Sequence, residues 1–172
     1  MDTTNRSGRQ EGDNAPPSLR TSGPRLTDLL RSDYAGPSAC TSLVGSGLDA
    51  VRFELRMKGK ADLTVDDLEG QPFHAVHYFV HAVELEAASG GELLTHLRVV
   101  LVNADKETVS CVSGGVVDAL QTLIDRMGVG PWTAPLPIVF RRVKTRKGYS
   151  MLTLAIADPP TESKSGGRTS AK

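Results

Sequence analysis

The chain has 172 residues, with 20 Lys plus Arg against 20 Asp plus Glu and 39% apolar residues. That composition supports one modest core rather than two. Zero net charge excludes a protein that coats DNA by bulk charge, but leaves room for a local basic strip. No run approaches the roughly 18–20 apolar residues of a membrane helix. Met1-Asp2-Thr3-Thr4-Asn5 also lacks the basic and apolar regions of a signal peptide. Two widely separated cysteines, Cys40 and Cys111, fit neither a CxxC site nor a disulfide framework, so a cytoplasmic protein is expected.

Residues 1–24 are rich in Ser, Gly, Pro and charge, with Leu19 their only large aliphatic residue after Met1. They cannot bury enough apolar surface to offset ordering entropy and are expected to be disordered, as are residues 158–172, which open on Asp158-Pro159-Pro160. Residues 25–50 read as a linker able to dock on the domain: Leu26 to Leu30 has room for a helical turn or two, and Gly36, Pro37, Gly45 and Gly47 interrupt whatever follows.

The folded unit is expected over 51–157. Val51-Arg52-Phe53-Glu54-Leu55-Arg56-Met57 alternates apolar and polar like a half-buried strand. Thr64 to Gly70 has the cap, early acids and Gly stop of a short helical turn. β-branched and aromatic residues predict strands over Pro72–Val83, Leu93–Asn103 and Glu107–Val112. Val116, Leu120, Leu123, Ile124 and Met127 recur at helical spacing, and Gly128 closes that helix. Leu136–Thr145 and Tyr149–Ala157 then form a hairpin around Arg146-Lys147-Gly148. Three strands, a helix and a closing hairpin predict a mainly β, five-stranded OB-like barrel, with its one helix between the third and fourth strands. An open α+β sheet with one helix on its face is the competing arrangement.

The closing hairpin concentrates charge. Five of the seven residues 141–147 are cationic: Arg141, Arg142, Lys144, Arg146 and Lys147. The rest of 71–157 holds three cations, Arg98, Lys106 and Arg126, against seven acids. On a strand, Arg142, Lys144 and Arg146 share a side at about 6.5–7 Å spacing, which suits successive phosphates. Phe140 and Tyr149 flank this row as candidate stacking faces, with Trp132, Tyr78 and Phe79 as further aromatics. The bland alternative is a solvated edge hairpin whose charges block aggregation.

His74, His77 and His81 lack a fourth ligand of the right type nearby, and read as ordinary sheet histidines rather than a metal site. Ser113-Gly114-Gly115 has bare N–H groups at a helix start but no downstream Gly-Lys-Ser/Thr, and reads as a capped strand-to-helix turn. HExxH, GxSxG and Walker patterns do not occur, so no enzyme and no cofactor are expected.

Leu68-Glu69-Gly70-Gln71-Pro72-Phe73, the helix after Ser113-Gly114-Gly115 and the hairpin Val143 to Tyr149 together resemble the small OB-fold single-stranded DNA-binding proteins of phages and mobile elements, over residues 68–157. The resemblance implies a groove for extended DNA, with cations on phosphates and aromatics on bases. Many such proteins carry an acidic C-terminal tail that recruits replication partners. Here Lys164, Arg168 and Lys172 oppose Asp158 and Glu162, so tail-mediated recruitment is not carried over.

The leading expectation is therefore sequence-tolerant single-stranded DNA binding in replication, recombination or repair. The cationic contacts would be Arg141, Arg142, Lys144, Arg146 and Lys147, with stacking by some of Tyr149, Trp132, Tyr78 and Phe79. Single-stranded DNA is the expected partner, with self-association of the chain as a further one and no membrane. The location is the cytoplasm, at the nucleoid or in a host cell if viral. The alternative is a non-enzymatic interaction module, or a subunit docking through the hairpin. A metal-dependent enzyme built on the histidines is a distant third.

Overall fold

The computed structural model describes residues 25–43, 47–68, 70–87 and 90–158. The tails expected to be disordered, 1–24 and all of 158–172 except Asp158, lie outside them. The strands expected after residue 72 all form: β2 (Phe73–Glu86), β3 (Leu93–Asn103), β4 (Thr108–Val112), β5 (Leu136–Lys144) and β6 (Ser150–Ile156). Residues 25–50, read as a linker, supply a 3-10 turn over Leu26–Leu30 and a short strand, β1 (Ala39–Thr41). Leu26 is buried in the core, and its N–H donates to Gln121 Oε1 at 2.8 Å.

Val51–Met57 is a helix, not the expected strand. It belongs to α1 (Leu48–Lys58), bracketed by Gly47 and Gly59. Apolar alternation at 51, 53, 55 and 57 misleads here. The segment is built of good helix formers, and a helix satisfies its own backbone groups without needing a sheet edge.

The sheet is antiparallel throughout, in the order β4-β3-β2-β5-β6, with β1 also on β2. β2 organises it. One edge pairs with β3 from Ala75 to Glu86, while the other takes β5 at Phe73–Ala75 and β1 at Phe79–His81. A bulge between Ala75 and His77 switches which side chains face the core. Tyr78, Val80, Val99, Leu101 and Val109 therefore pack on one face, and Phe79, Val100 and Val102 on the other.

The result is a six-stranded open sheet, not the closed five-stranded barrel. β4 pairs with β3 and β6 with β5, and the two do not meet. The reason is α2 (Gly114–Met127), whose first turn lies against the backbone of β6. Ser113 Oγ donates to the Leu152 carbonyl at 2.8 Å, and Thr153 Oγ1 donates to the Gly115 carbonyl at 3.1 Å. Ser113 holds the N-cap position, but its hydroxyl serves β6 rather than the helix, which corrects the expected Ser cap. A Cβ on Gly115 would stand 2.6 Å from the Leu152 carbonyl oxygen, so only glycine permits this approach. The helix comes after the fourth strand of the chain because β1 precedes the expected set.

Val116, Val117, Leu120 and Ile124 of α2 are buried in the main core, each fully buried aliphatic side chain contributing about 1.5–3 kcal/mol. Leu123 is only partly buried, and Met127, expected on the same face, is exposed. Among the described residues no helix is long and apolar enough to cross a membrane.

Candidate nucleic-acid interface

The β5–β6 hairpin begins inside the core and leaves it. Leu136, Ile138 and Phe140 are buried, whereas Arg141 to Lys144 are all exposed. The two strands stay in register past that point, pairing Arg141 with Thr153, Arg142 with Leu152, Val143 with Met151 and Lys144 with Ser150. The basic segment is thus held by a ladder anchored in packed residues and projects into solvent.

The strand stops at Lys144. The Thr145 N–H donates to the Tyr149 carbonyl at 2.8 Å and the Gly148 N–H to the Thr145 carbonyl at 2.9 Å, closing the turn. Gly148 takes φ 83°, which a side chain would strain. Arg142 and Lys144 share a strand side, but Arg146 and Lys147 sit in the turn. The expected three-cation row is a two-cation row ending in a basic loop.

Arg142 Nη2 lies 3.6 Å from Asp66 Oδ1, both side chains being largely exposed. Asp66 belongs to the expected short turn, a 3-10 helix over Asp66–Leu68. There the Thr64 N–H and hydroxyl both donate to Asp67 Oδ2, at 2.6 and 2.7 Å. Those two bonds, led by the hydroxyl, hold the Asp67 carboxyl below its ordinary pKa. Among the described residues, Arg141, Lys144, Arg146 and Lys147 have no carboxylate partner. Four uncompensated cations within seven residues make this the most electropositive part of the chain.

The aromatics separate sharply. Tyr149 is 71% exposed at the hairpin tip and presents a free ring. Tyr78, Trp132 and Phe140, also candidates for stacking, are buried in the main core and present no free face in this conformation. Tyr78 and Trp132 lie 5.6 Å apart in the core, and Trp132 Nε1–H donates to the Gly128 carbonyl. Burial raises the Tyr78 hydroxyl's pKa, with Cys40 Sγ at 4.0 Å adding to the effect. Burial likewise pushes the Cys111 thiol up to about 12, as befits a small packing residue.

The histidines do not converge. His74 is exposed and His77 meets Ser42 Oγ at 3.3 Å, while His81 is buried beside Phe79. Among the described residues no group of three His, Cys, Asp or Glu is placed to hold a metal ion. Sequence reasoning passed over the face under α1, where Arg98 and His81 stand directly opposite each other on β3 and β2. The signal was present in the alternation His77, Phe79, His81, but Phe79 read either as a stacking aromatic or as core, without its histidine neighbours.

The family model described as Phage Single-stranded DNA-binding protein matches residues 63–157. The match starts at Leu63, which bridges to Val109 of β4, and runs through the end of β6. It therefore takes in β2 to β6, α2 and the whole basic hairpin, more than half of the chain. Neither a curated protein nor a solved structure matches it. A match of that extent, taking in the projecting basic hairpin, places this chain in the phage single-stranded DNA-binding protein family.

Proposed function

We propose that the protein binds single-stranded DNA without sequence preference along the β5–β6 hairpin, where single strands are exposed in replication, recombination or repair. It does so as a binding protein rather than an enzyme, in the cytoplasm of a host cell. The observation that carries this reading is the set of cations Arg141, Lys144, Arg146 and Lys147, without a carboxylate partner among the described residues, on a core-anchored ladder and the turn it ends in. Such charges act by releasing counterions from phosphates, which is indifferent to base identity. Tyr149 adds a stacking face, also sequence-tolerant because every base has one.

Anisotropy titration of a labelled oligonucleotide at several salt concentrations tests this. The double variant Lys144→Ala, Arg146→Ala is expected to remain folded and to weaken binding of all sequences alike. The slope of log K against log salt should shrink by about 1.4, at roughly 0.7 per single-strand phosphate contact. Unchanged affinity and slope in the folded double variant would move the site elsewhere. No binding by the wild type even at low salt would end the reading.

A further inference from the structure

α1 is an odd cover for a sheet. Of its eleven residues only Met57 is buried. Leu48, Val51 and Leu55, spaced as one helical stripe, point into solvent at 65%, 52% and 66% exposure. Phe53 and Met57 alone reach the apolar sheet residues Phe79, Val100 and Val102. Polar ties are few: Arg56 donates to the Lys106 carbonyl at 2.8 Å and lies 3.6 Å from Asp62 Oδ2, a half-exposed pair, and Arg98 donates to the Lys58 carbonyl at 3.3 Å. A cleft of about 400 Å³, lined in part by Phe53, Met57 and His77, opens between helix and sheet. An element with so little buried apolar area opens at low cost, while the sheet beneath keeps its own ladder.

What α1 hides is chemically specific. Phe79 is fully covered, its ring 5.3 Å from His81 and 6.4 Å from Phe53. His81 is 7% exposed, and its Nδ1 meets the Ala82 carbonyl at 3.1 Å. Its Nε2 is buried without a hydrogen-bond partner among the described residues, which costs stability and marks a group awaiting a partner. Arg98 stands directly across from it, its guanidinium held by Ser110 Oγ at 3.0 Å. Aromatic ring, imidazole and guanidinium side by side match a nucleotide's base and phosphate.

We propose that α1 is a displaceable cover over a second single-strand contact, in which Phe79 stacks on a base and His81 and Arg98 take the adjoining backbone. The site extends the single-stranded DNA-binding reading and rests on it. Alternation along β5 puts Arg141, opposite in parity to the buried Ile138 and Phe140, on the same side of the sheet as Phe79. A strand leaving the hairpin thus has a cation leading toward the covered face.

Hydrogen exchange on the full chain, with and without a thymidine oligonucleotide of roughly 16 nucleotides, tests the cover. On binding, amides of Val51 to Lys58 should exchange about tenfold faster or more, while hairpin amides slow. Met57→Gln buries an amide without a partner and carries no charge. It should raise the uncovered population and tighten binding several-fold, up to on the order of tenfold, by removing part of the opening cost. Arg98→Gln, alone or in that background, should reduce the salt slope by about 0.7. If α1 amides keep or gain protection in the complex and Arg98→Gln leaves the slope unchanged, the covered contact is overturned while the hairpin reading stands. If the wild type binds no oligonucleotide, both fall together. Should Met57→Gln fail to fold, the wild-type exchange and Arg98→Gln still decide.

Discussion

α1 and α2 cover opposite faces of one sheet, and they are held in different ways. α2 buries Val116, Val117, Leu120 and Ile124 against Tyr78, Val80 and Val99, and its first turn is bonded to β6 through Ser113 and Thr153. α1 buries Met57 and keeps its own apolar stripe outside. Helix propensity does not explain the contrast, since both form. The difference is tertiary: most helical stability in a folded chain comes from the apolar face it buries. One helix is therefore part of the fold, and the other rests on it.

The strongest way to break this comparison is truncation on each helix in turn. Leu120 is fully buried, so Leu120→Ala should cost about 2–5 kcal/mol in urea unfolding. Half-buried Leu123 should cost less when cut to Ala. Met57→Ala removes an equally buried side chain, yet its cost is capped by the docking energy of α1, because a helix that has let go loses nothing more. Met57→Ala should therefore destabilise clearly less than Leu120→Ala. Equal costs at the two sites would mean that α1 is as integral as α2.

Much of this was legible in the sequence. The 3.6-residue repeat from Val116 to Ile124, the β-branched runs at 73–86 and 93–103, and the Gly148 turn each carry a local signal that the fold respects. Charge concentration at 141–147 was equally plain, because exposure of a basic hairpin needs no tertiary information. Three things were not legible. Alternation at 51–57 matched a strand, and only the whole fold shows a helix there. That the sheet stays open, with the first turn of α2 against the Leu152 carbonyl, is a tertiary outcome with no pattern in the chain. The sides on which Tyr78 and Phe79 fall turn on the bulge at Ala75–His77, which puts Tyr78 in the core and Phe79 under α1.

That sorting of aromatics gives a second test, smaller in effect. Tyr149 and Trp132 are both candidates by type, but only Tyr149 has a free face. Tyr149→Ala should lose about 1–3 kcal/mol of single-strand affinity, with the salt slope unchanged and unfolding hardly altered. Trp132→Phe should show the reverse: a lowered unfolding midpoint with affinity unchanged in the fraction that is folded. A Tyr149→Ala variant that binds like the wild type would leave the hairpin a purely electrostatic contact.

The smallest expected effect concerns Asp66, which faces Arg142 across 3.6 Å with both side chains 66% or more exposed. An exposed pair of this kind contributes little, so Asp66→Asn should change stability by no more than about 0.5 kcal/mol. Its effect on DNA is the sharper readout. In the wild type the carboxylate partly neutralises Arg142, the one hairpin cation with an acid beside it among the described residues. Removing that charge frees the guanidinium for a phosphate and takes a repelling carboxylate off the path. Single-strand affinity should rise modestly at low salt, and the gain should fade as salt screens the interaction. Titration at two ionic strengths checks this. A loss of affinity would mean that the pair orients Arg142 toward the strand rather than competing with it, and the hairpin would then depend on its contact with the Asp66–Leu68 turn.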